Sequence, residues 1–563
     1  MRDVRTWREW SQVDIHAARL DRKARLALLP WHWSRQVAGE YERRGGVESA
    51  TARAWFVGVT DSARGRLSLA VTDDDLRAAA KAAAIDGISI AGRAGMAGDR
   101  ALFDALSLHV RSWGIDVPRA DPENLRPAIR RMLCERWFLR RMRRAHGRRC
   151  DGAAIAAGVV RRGLWPYASE DAVTRRTAQR KRNAQAIDRA VIECEQSGEA
   201  LPLADVVASS IANPEVRRAE LMVRVRGCDA HAADVGAVAE FWTLTAPSRF
   251  HAQKVTGATS EPNRGYRNLT PREGQEYLTK VWARARAAWA RRGLEIFGLR
   301  AAEPHHDGTP HWHIVAYGAR RDLRFARRLL HVYALRDSPD EPGARKRRFK
   351  AMALKGGQGG ARYAAKYIAK NIDGAGLEGA RDGETGRKIA DAVRRVDTWK
   401  SVWGIRQFQF FGCPRVGIWR ALRRVAAGSL PRHSMLERAR SAADDSDFAE
   451  FWRASVVGGL EIMREAAARL TIYGDKGVRR TIGVMEGARR ALLTIKDWEI
   501  RWSGKAQAVG RSALDFVFDF RRSGVNNCTR TPDRYGDAVG AIFEFLGDDG
   551  LTFRKSRSMV RTI

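Results

Sequence analysis

The chain has 563 residues, 44% of them hydrophobic, and sets 101 lysines and arginines against 65 aspartates and glutamates for a net charge of +36. That apolar share excludes a disordered basic tail, and at roughly 150 residues per domain the length allows three or four folded units. No apolar run reaches the ~18 residues of a membrane span, and the start MRDVRTWREW lacks a signal-peptide core, so a cytoplasmic protein with no membrane partner is expected. The charge predicts a polyanionic partner, with nucleic acid first. Six cysteines (Cys134, Cys150, Cys194, Cys228, Cys413 and Cys528) form no C-x-x-C pair, which argues for reduced structural thiols rather than a disulfide scaffold or a zinc knuckle.

From Met1 to about Asp121 the signals are mixed, with short apolar runs such as Ala54 to Val59, and they carry no assignable chemistry. Asn124 to Arg149 reads as a helix in which Ile129, Leu133 and Trp137 recur every fourth position among ten arginines. Such a face can lie along phosphates or simply face solvent. Ser169-Glu170-Asp171 opens a second helical stretch that runs to Glu195 and carries Arg180-Lys181-Arg182. Pro202 to Asp229 continues helical with a break at Asn213-Pro214. Residues 1–235 are therefore expected to form a basic, mainly helical N-terminal DNA-binding region.

At Phe241 the pattern changes. Phe241-Trp242-Thr243-Leu244-Thr245 is aromatic and β-branched, which predicts a strand ending at Ala246-Pro247-Ser248. Thr270-Pro271-Arg272-Glu273 fits a capping box with proline at the first helical position, and the helix should run to about Arg292 with Leu278, Val281, Trp282 and Trp289 inward. Leu294 to Arg300 then leads into EPHHDGTPHWHIVAY, Glu303 to Tyr317, where four of the twelve histidines fall within nine residues. Asp307-Gly308 is a two-residue hairpin signal, and the alternation after it predicts a strand with His311 and His313 on one face. Glu303 returning along the partner strand completes an N, N, O set for one divalent cation, Mg2+ or Mn2+, with positions left open for a substrate oxygen. The alternative is a half-buried hairpin whose histidines only form hydrogen bonds. Strands interleaved with helices predict an α+β fold, a central antiparallel sheet with packed helices.

Asp322 to Tyr333 reads as a helix, and Asp337 to Ala351 as a polar loop whose Arg345-Lys346-Arg347-Arg348 is a candidate DNA-backbone contact. Gly356 to Gly360 forms a hinge before a helix from Ala361 to Asn371. At about 100° per residue, Tyr363, Lys366, Tyr367 and Lys370 share one face, opposite Ala364, Ala365, Ile368, Ala369 and Ile372. A core helix would place its tyrosines among the apolar residues. Here each phenol instead has a lysine three positions on, and ammonium groups are expected to lower its pKa and activate it as a nucleophile. Tyr363, Tyr367, Lys366 and Lys370 are thus the catalytic candidates: a tyrosine attacks a DNA phosphodiester, leaving a 5′-phosphotyrosine and a free 3′-hydroxyl.

After Arg424, Ser441 to Asp447 reads as a linker. Phe448 to Leu470 and Val478 to Ile500 read as helices, and Arg554-Lys555-Ser556-Arg557 closes on a basic note. Residues 236–428 are the expected endonuclease domain and residues 429–563 a helical C-terminal region of open role. No Walker phosphate loop is present, which implies a host helicase.

Together these residues resemble the HUH superfamily of single-strand endonucleases, specifically the phage replication gene A type of rolling-circle initiator. Phe241 to Thr245 with Pro247-Ser248 resembles its first motif, His311-Trp312-His313 its second, and Tyr363-x-x-Lys366-Tyr367 its two-tyrosine third. Trp403 to Arg424 is similar to the closing part of the catalytic region, where Cys413 matches no catalytic role. The resemblance places Glu303 ahead of His305 and His306 as third metal ligand, since geminivirus initiators carry a carboxylate there. It implies nicking of single-stranded origin DNA in a bacterial cytoplasm, with host helicase and DNA polymerase as partners. An HUH relaxase or transposase is a neighbouring reading. A non-catalytic DNA-binding regulator with structural zinc is a reading of a different class.

Overall fold

The computed structural model describes residues 20–94, 98–257, 259–354, 359–466, 470–477, 479–494, 496 and 498–502. The first part of the expected hinge, Gly356 to Gln358, lies outside the described residues, as do the chain start, Cys528 and the basic segment Arg554 to Arg557. The fold is α+β. Its centre is a five-stranded, wholly antiparallel sheet built from β1 (Val238–Thr245), β2 (Phe297–Pro304), β3 (Pro310–Gly318), β4 (Phe349–Ala353) and β5 (Phe408–Phe411), in the order β4-β1-β3-β2-β5.

Alternation assigns the two faces. Even positions Trp242, Leu244, Ala302, Trp312 and Ile314 turn to one side and odd positions Ala239, Leu299, Ala301, Val315 and Tyr317 to the other. The first face is covered by α3 (Pro271–Ala290) and α4 (Arg320–Leu335), together with helices of the N-terminal region that include α1 (Glu135–Ala156). Against the second lie α2 (Pro214–Asp234), α5 (Gly360–Ile372) and the C-terminal helices Met435–Asp444 and Phe448–Val457. Another helix, α6 (Ile389–Trp403), runs into β5. Trp242 and Trp312 are fully buried, each removing apolar surface worth roughly 2–3 kcal/mol. The start of α3 forms as its sequence demands: Thr270 accepts from Glu273 N, the Glu273 carboxylate accepts from Thr270 N at 2.7 Å, and Leu278, Val281, Trp282 and Trp289 are buried.

The hairpin between β2 and β3 departs from the two-residue turn that Asp307-Gly308 signals. Five residues, His305 to Thr309, connect the strands. The Gly308 N–H donates to the His305 carbonyl at 2.8 Å and His305 N–H to the Thr309 carbonyl at 2.8 Å. Gly308 takes the left-handed conformation, φ 84°, that only glycine adopts without strain. The extra length is held by Asp307, whose carboxylate accepts from Thr309 N at 3.0 Å and from His251 Nδ1 at 3.2 Å.

Other expectations are corrected by pairing that is distant in sequence. Ser441 to Asp447 is no linker: helix Met435–Asp444 runs through it, and Asp447 caps Phe448–Val457 by accepting from Ala449 N and Glu450 N. Beyond Val457 the expected helices are strands, Glu461–Glu465, Arg480–Glu486, Arg489–Leu492 and Trp498–Trp502. The mainly helical N-terminal region also contains strands: Ala190–Cys194 pairs antiparallel with Ala200–Pro202 on one side and with Trp498–Trp502 on the other. Asp337 to Ala351 includes a short helix, Ala344–Arg347, and the start of β4. The division at 235 and 428 does not follow the packing, because one apolar cluster joins Trp33, Phe56 and Ala153 to Trp242 and Trp312, and the other joins Leu221 to Tyr317 and Phe451. Among the described residues no helix is long and apolar enough to cross a membrane.

Candidate active site and metal centre

The end of the β2–β3 hairpin brings three donors together. Glu303 lies directly opposite His311 in the antiparallel register, and His313 is two residues further along the same face. One ligand atom from each lies within 4.8 Å of the others. The His311 and His313 Nε2 atoms are 2.8 Å apart, and His313 Nε2 is 3.8 Å from Glu303 Oε2.

The donor chemistry fits a divalent cation. Burial, then the neighbouring His305 and Lys370, pushes His313 down to about 3. Burial and the charge of His305 likewise hold His311 well below its ordinary value. Both imidazoles are therefore neutral and offer lone pairs. Two nitrogens bound to one cation at about 2.1 Å sit roughly 3 Å apart, close to the spacing here. The far nitrogen of His313 faces Thr243 Oγ1 at 3.3 Å, an outer partner that orients the ring. Among the described residues the buried His311 Nδ1 has no hydrogen-bond partner, and the ring stacks on His305 with centroids 3.9 Å apart. His305 in turn approaches Glu384 at 3.5 Å. His305 thus stands behind His311, and the backbone N–H of His306 donates to the same Glu384 carboxylate at 2.8 Å.

Glu303 is only 3% exposed, and burial raises its carboxyl pKa. The charge is met from α5: Lys370 Nζ lies 3.6 Å from Glu303 Oε2 and 3.0 Å from Asp382 Oδ1, and Asn371 Nδ2 donates to Glu303 Oε1. Asn371 also donates to the Tyr367 carbonyl at 2.7 Å and accepts from Gln407 Nε2 at 3.2 Å. From the N-terminal region, Tyr167 donates its hydroxyl to Asp382 at 2.5 Å, and Thr385 does so at 2.6 Å. Asn371, Gln407, Asp382 and Tyr167 have no signal in sequence as site residues, because each acts through a neighbour that only folding supplies.

Tyr367 reaches the centre, and Tyr363 flanks it on the far side of Phe241. The Tyr367 ring packs on His313 with centroids 4.3 Å apart, and Phe241 lies against His313, Tyr367 and Tyr363 at 5.4, 5.5 and 5.5 Å. Tyr363 is 40% exposed, Lys366 is exposed and Tyr367 is half-buried, while Ala364 and Ile368 face the core. For the Tyr367 phenol the pull of lysine is outweighed by its surroundings. Its burial, then the Glu303 carboxylate, pushes the phenol up to about 12 against the pull of Lys370. Lys370 is occupied by two carboxylates, which outweigh its burial and hold the ammonium charged.

The basic loop divides. Arg345, Lys346 and Arg347 are exposed on helix Ala344–Arg347. Arg348 is 3% exposed and donates to the Ala334 and Asp337 carbonyls at 3.2 and 2.8 Å and to Glu341 at 2.8 Å. Its guanidinium braces the end of α4, so the expectation that it contacts DNA is corrected: loop closure buried it.

The fold and site define an α+β protein in which two histidines and a glutamate at a sheet hairpin face a helix bearing two tyrosines. The family model described as bacteriophage replication gene A protein (GPA) matches residues 105–375, which include all of these groups. The replication gene A protein of Escherichia phage P2 is 36% identical over 469 residues, 77% of this chain and 60% of that protein. The probable replication protein P12 of Pseudoalteromonas phage PM2 is 38% identical over 391 residues, 67% of this chain and 60% of that protein. A protein of Salmonella paratyphi A named probable replication endonuclease from prophage-like region is 34% identical over 380 residues, 63% and 47% of the two chains. The chain belongs to the bacteriophage replication gene A protein family. It spans 60% of the length of the first two relatives. No solved structure matches it.

Proposed function

We propose that the protein is a site-specific single-strand DNA endonuclease and strand transferase of the HUH type, which initiates rolling-circle replication of phage or prophage DNA. The observation that carries the reading is the Tyr367 ring seated on His313, one helical turn from the more exposed Tyr363. A divalent cation bound by Glu303, His311 and His313 would supply Lewis acidity toward a phosphate oxygen. The remaining chemistry belongs to the chain. A tyrosine oxygen attacks the phosphorus as the bond to the 3′-oxygen breaks, and the proton lost by the phenol is matched by one taken up by the departing oxygen, giving a 5′-phosphotyrosine and a 3′-hydroxyl. One phosphoester replaces another, so rejoining by the reverse attack needs no nucleotide hydrolysis. Lys366, exposed beside the tyrosines, holds the strand's charge, while Lys370 keeps Glu303 and Asp382 compensated. Phe241 packs both phenols, and the second tyrosine can take a second strand while the first is occupied. Arg345, Lys346 and Arg347 offer exposed charge to the strand. Extension of the 3′-hydroxyl is assigned to host helicase and DNA polymerase.

The test is incubation with single-stranded phage or host DNA and Mg2+ or Mn2+, followed by denaturing electrophoresis. A covalent protein–DNA species is expected, and Tyr363→Phe with Tyr367→Phe should abolish it; persistence of the adduct in that variant overturns the nucleophile assignment. A zinc-stabilised regulator would instead retain zinc through purification and leave DNA uncut.

A further inference from the structure

Away from the tyrosines, α1 closes one side of a cavity of about 410 Å3 whose wall carries Arg141, Arg144, Arg148, Arg272 and Arg406 together with Asp116, and Arg272 also pairs with Glu276 at 2.8 Å. We propose that this cavity binds the sugar-phosphate backbone of a DNA strand, a proposal that rests on the reading that the protein acts on DNA. Positions 141, 144 and 148 recur at helical spacing, so the three guanidinium groups share one face of α1. Seven residues of helix rise about 10 Å, longer than one phosphate group, so the row suits consecutive phosphates better than a single small anion.

Two of the forks are fixed by backbone carbonyls. Arg148 donates to the Val402 and Trp403 carbonyls at 3.1 and 3.3 Å, and Arg272 to the Gly404 carbonyl at 3.1 Å. These bonds tie the cavity to the end of α6. Planar guanidinium groups held in place are suited to phosphate oxygens, which they meet in pairs. One cavity arginine reaches the neighbouring Arg300: burial first, then Arg406 and Arg286, hold that guanidinium below its ordinary value. A polyanionic strand passing such a wall meets several guanidinium groups at once. Arg406 directly precedes Gln407, which donates to Asn371, which donates to Glu303. A strand held here therefore engages the same segment that braces the metal-ligand set.

The experiment measures binding of a labelled single-stranded oligonucleotide by fluorescence anisotropy over a salt series, in the Tyr363→Phe/Tyr367→Phe background without divalent metal, so that cleavage plays no part. Adding Arg141→Gln with Arg144→Gln should weaken binding about tenfold near 0.15 M salt and make the slope of log affinity against log salt shallower by about 1.4, or about 0.7 per lost phosphate contact. Arg406→Gln, at the exposed rim, should lower the slope by about half as much, and it keeps the test decisive if the double variant misfolds by circular dichroism. Unchanged affinity and slope in a folded variant overturn the proposal while leaving the nuclease reading intact. Loss of inorganic pyrophosphate binding with unchanged DNA binding also overturns it, assigning the cavity to a small anion. Failure of the parent protein to bind DNA overturns both readings.

Discussion

Asn371 shows how one side chain can govern a site without touching a substrate. Its amide joins Glu303, the Tyr367 carbonyl and Gln407, so it sets the angle at which the carboxylate meets the two imidazoles. Asn371→Leu should weaken Mn2+ binding about 10- to 100-fold with little change in fold, as measured by isothermal titration. An unchanged metal affinity would remove Asn371 from this role. His146 carries a separate expectation. It is buried, its Nε2–H donates to the Ser68 carbonyl at 3.0 Å, and burial holds its pKa at about 4 against 6.5 for the free group. The unfolded chain therefore binds a proton that the folded chain refuses, and stability is lost as pH falls from about 6.5 toward 4. At pH 5 this one group costs about 2 kcal/mol. His146→Gln keeps a donor for the Ser68 carbonyl and should remove that part of the loss between pH 7 and pH 5 in urea titrations.

At the scale of the element, the decisive piece is α5. Its first N–H groups have no partner within the helix, and no capping residue sits beside them in sequence. Asp229, on α2, supplies the cap: its carboxylate accepts from Gly360 N at 3.1 Å, Ala361 N at 2.9 Å and the Tyr317 hydroxyl at 2.8 Å. The position of both tyrosines is thus set from more than 130 residues upstream. Asp229→Ala should destabilise the protein by about 1–2 kcal/mol in thermal unfolding and slow nicking more than it weakens DNA binding. Equal losses in both would show that the cap does not position the tyrosines. Gly360 permits the same close approach, since a Cβ there would overlap Tyr317 Oη and Val315 Cγ1. Gly360→Ala should therefore push α5 off the sheet and reduce adduct formation while His311 and His313 remain in register.

Across the whole molecule, shared cores replace the three-part division that composition implies. The N-terminal helices complete the first face of the sheet and the C-terminal helices complete the second, so a 236–428 fragment would expose both. Calorimetry of the full chain should show the sheet and the helices on both its faces melting in one cooperative transition, and the isolated fragment should bind ANS and lack a sharp transition. A fragment that melts cooperatively near the full chain's temperature would contradict this.

Local chemistry made several parts legible: the capping box at Thr270, the helix start at Ser169, the strand at Phe241, the shared face of His311 and His313, and the polar face of α5 all follow from short-range patterns. What the sequence determined by itself was the inventory and local spacing of reactive groups, because strand and helix periods act over a few residues. Tertiary structure alone decided which carboxylates Lys370 compensates, which arginine is lost to the interior, why Tyr367 resists ionisation, and that residues 498–502 form a strand on 190–194. Those outcomes depend on burial and on partners far away along the chain, and neither is encoded in the spacing of neighbours.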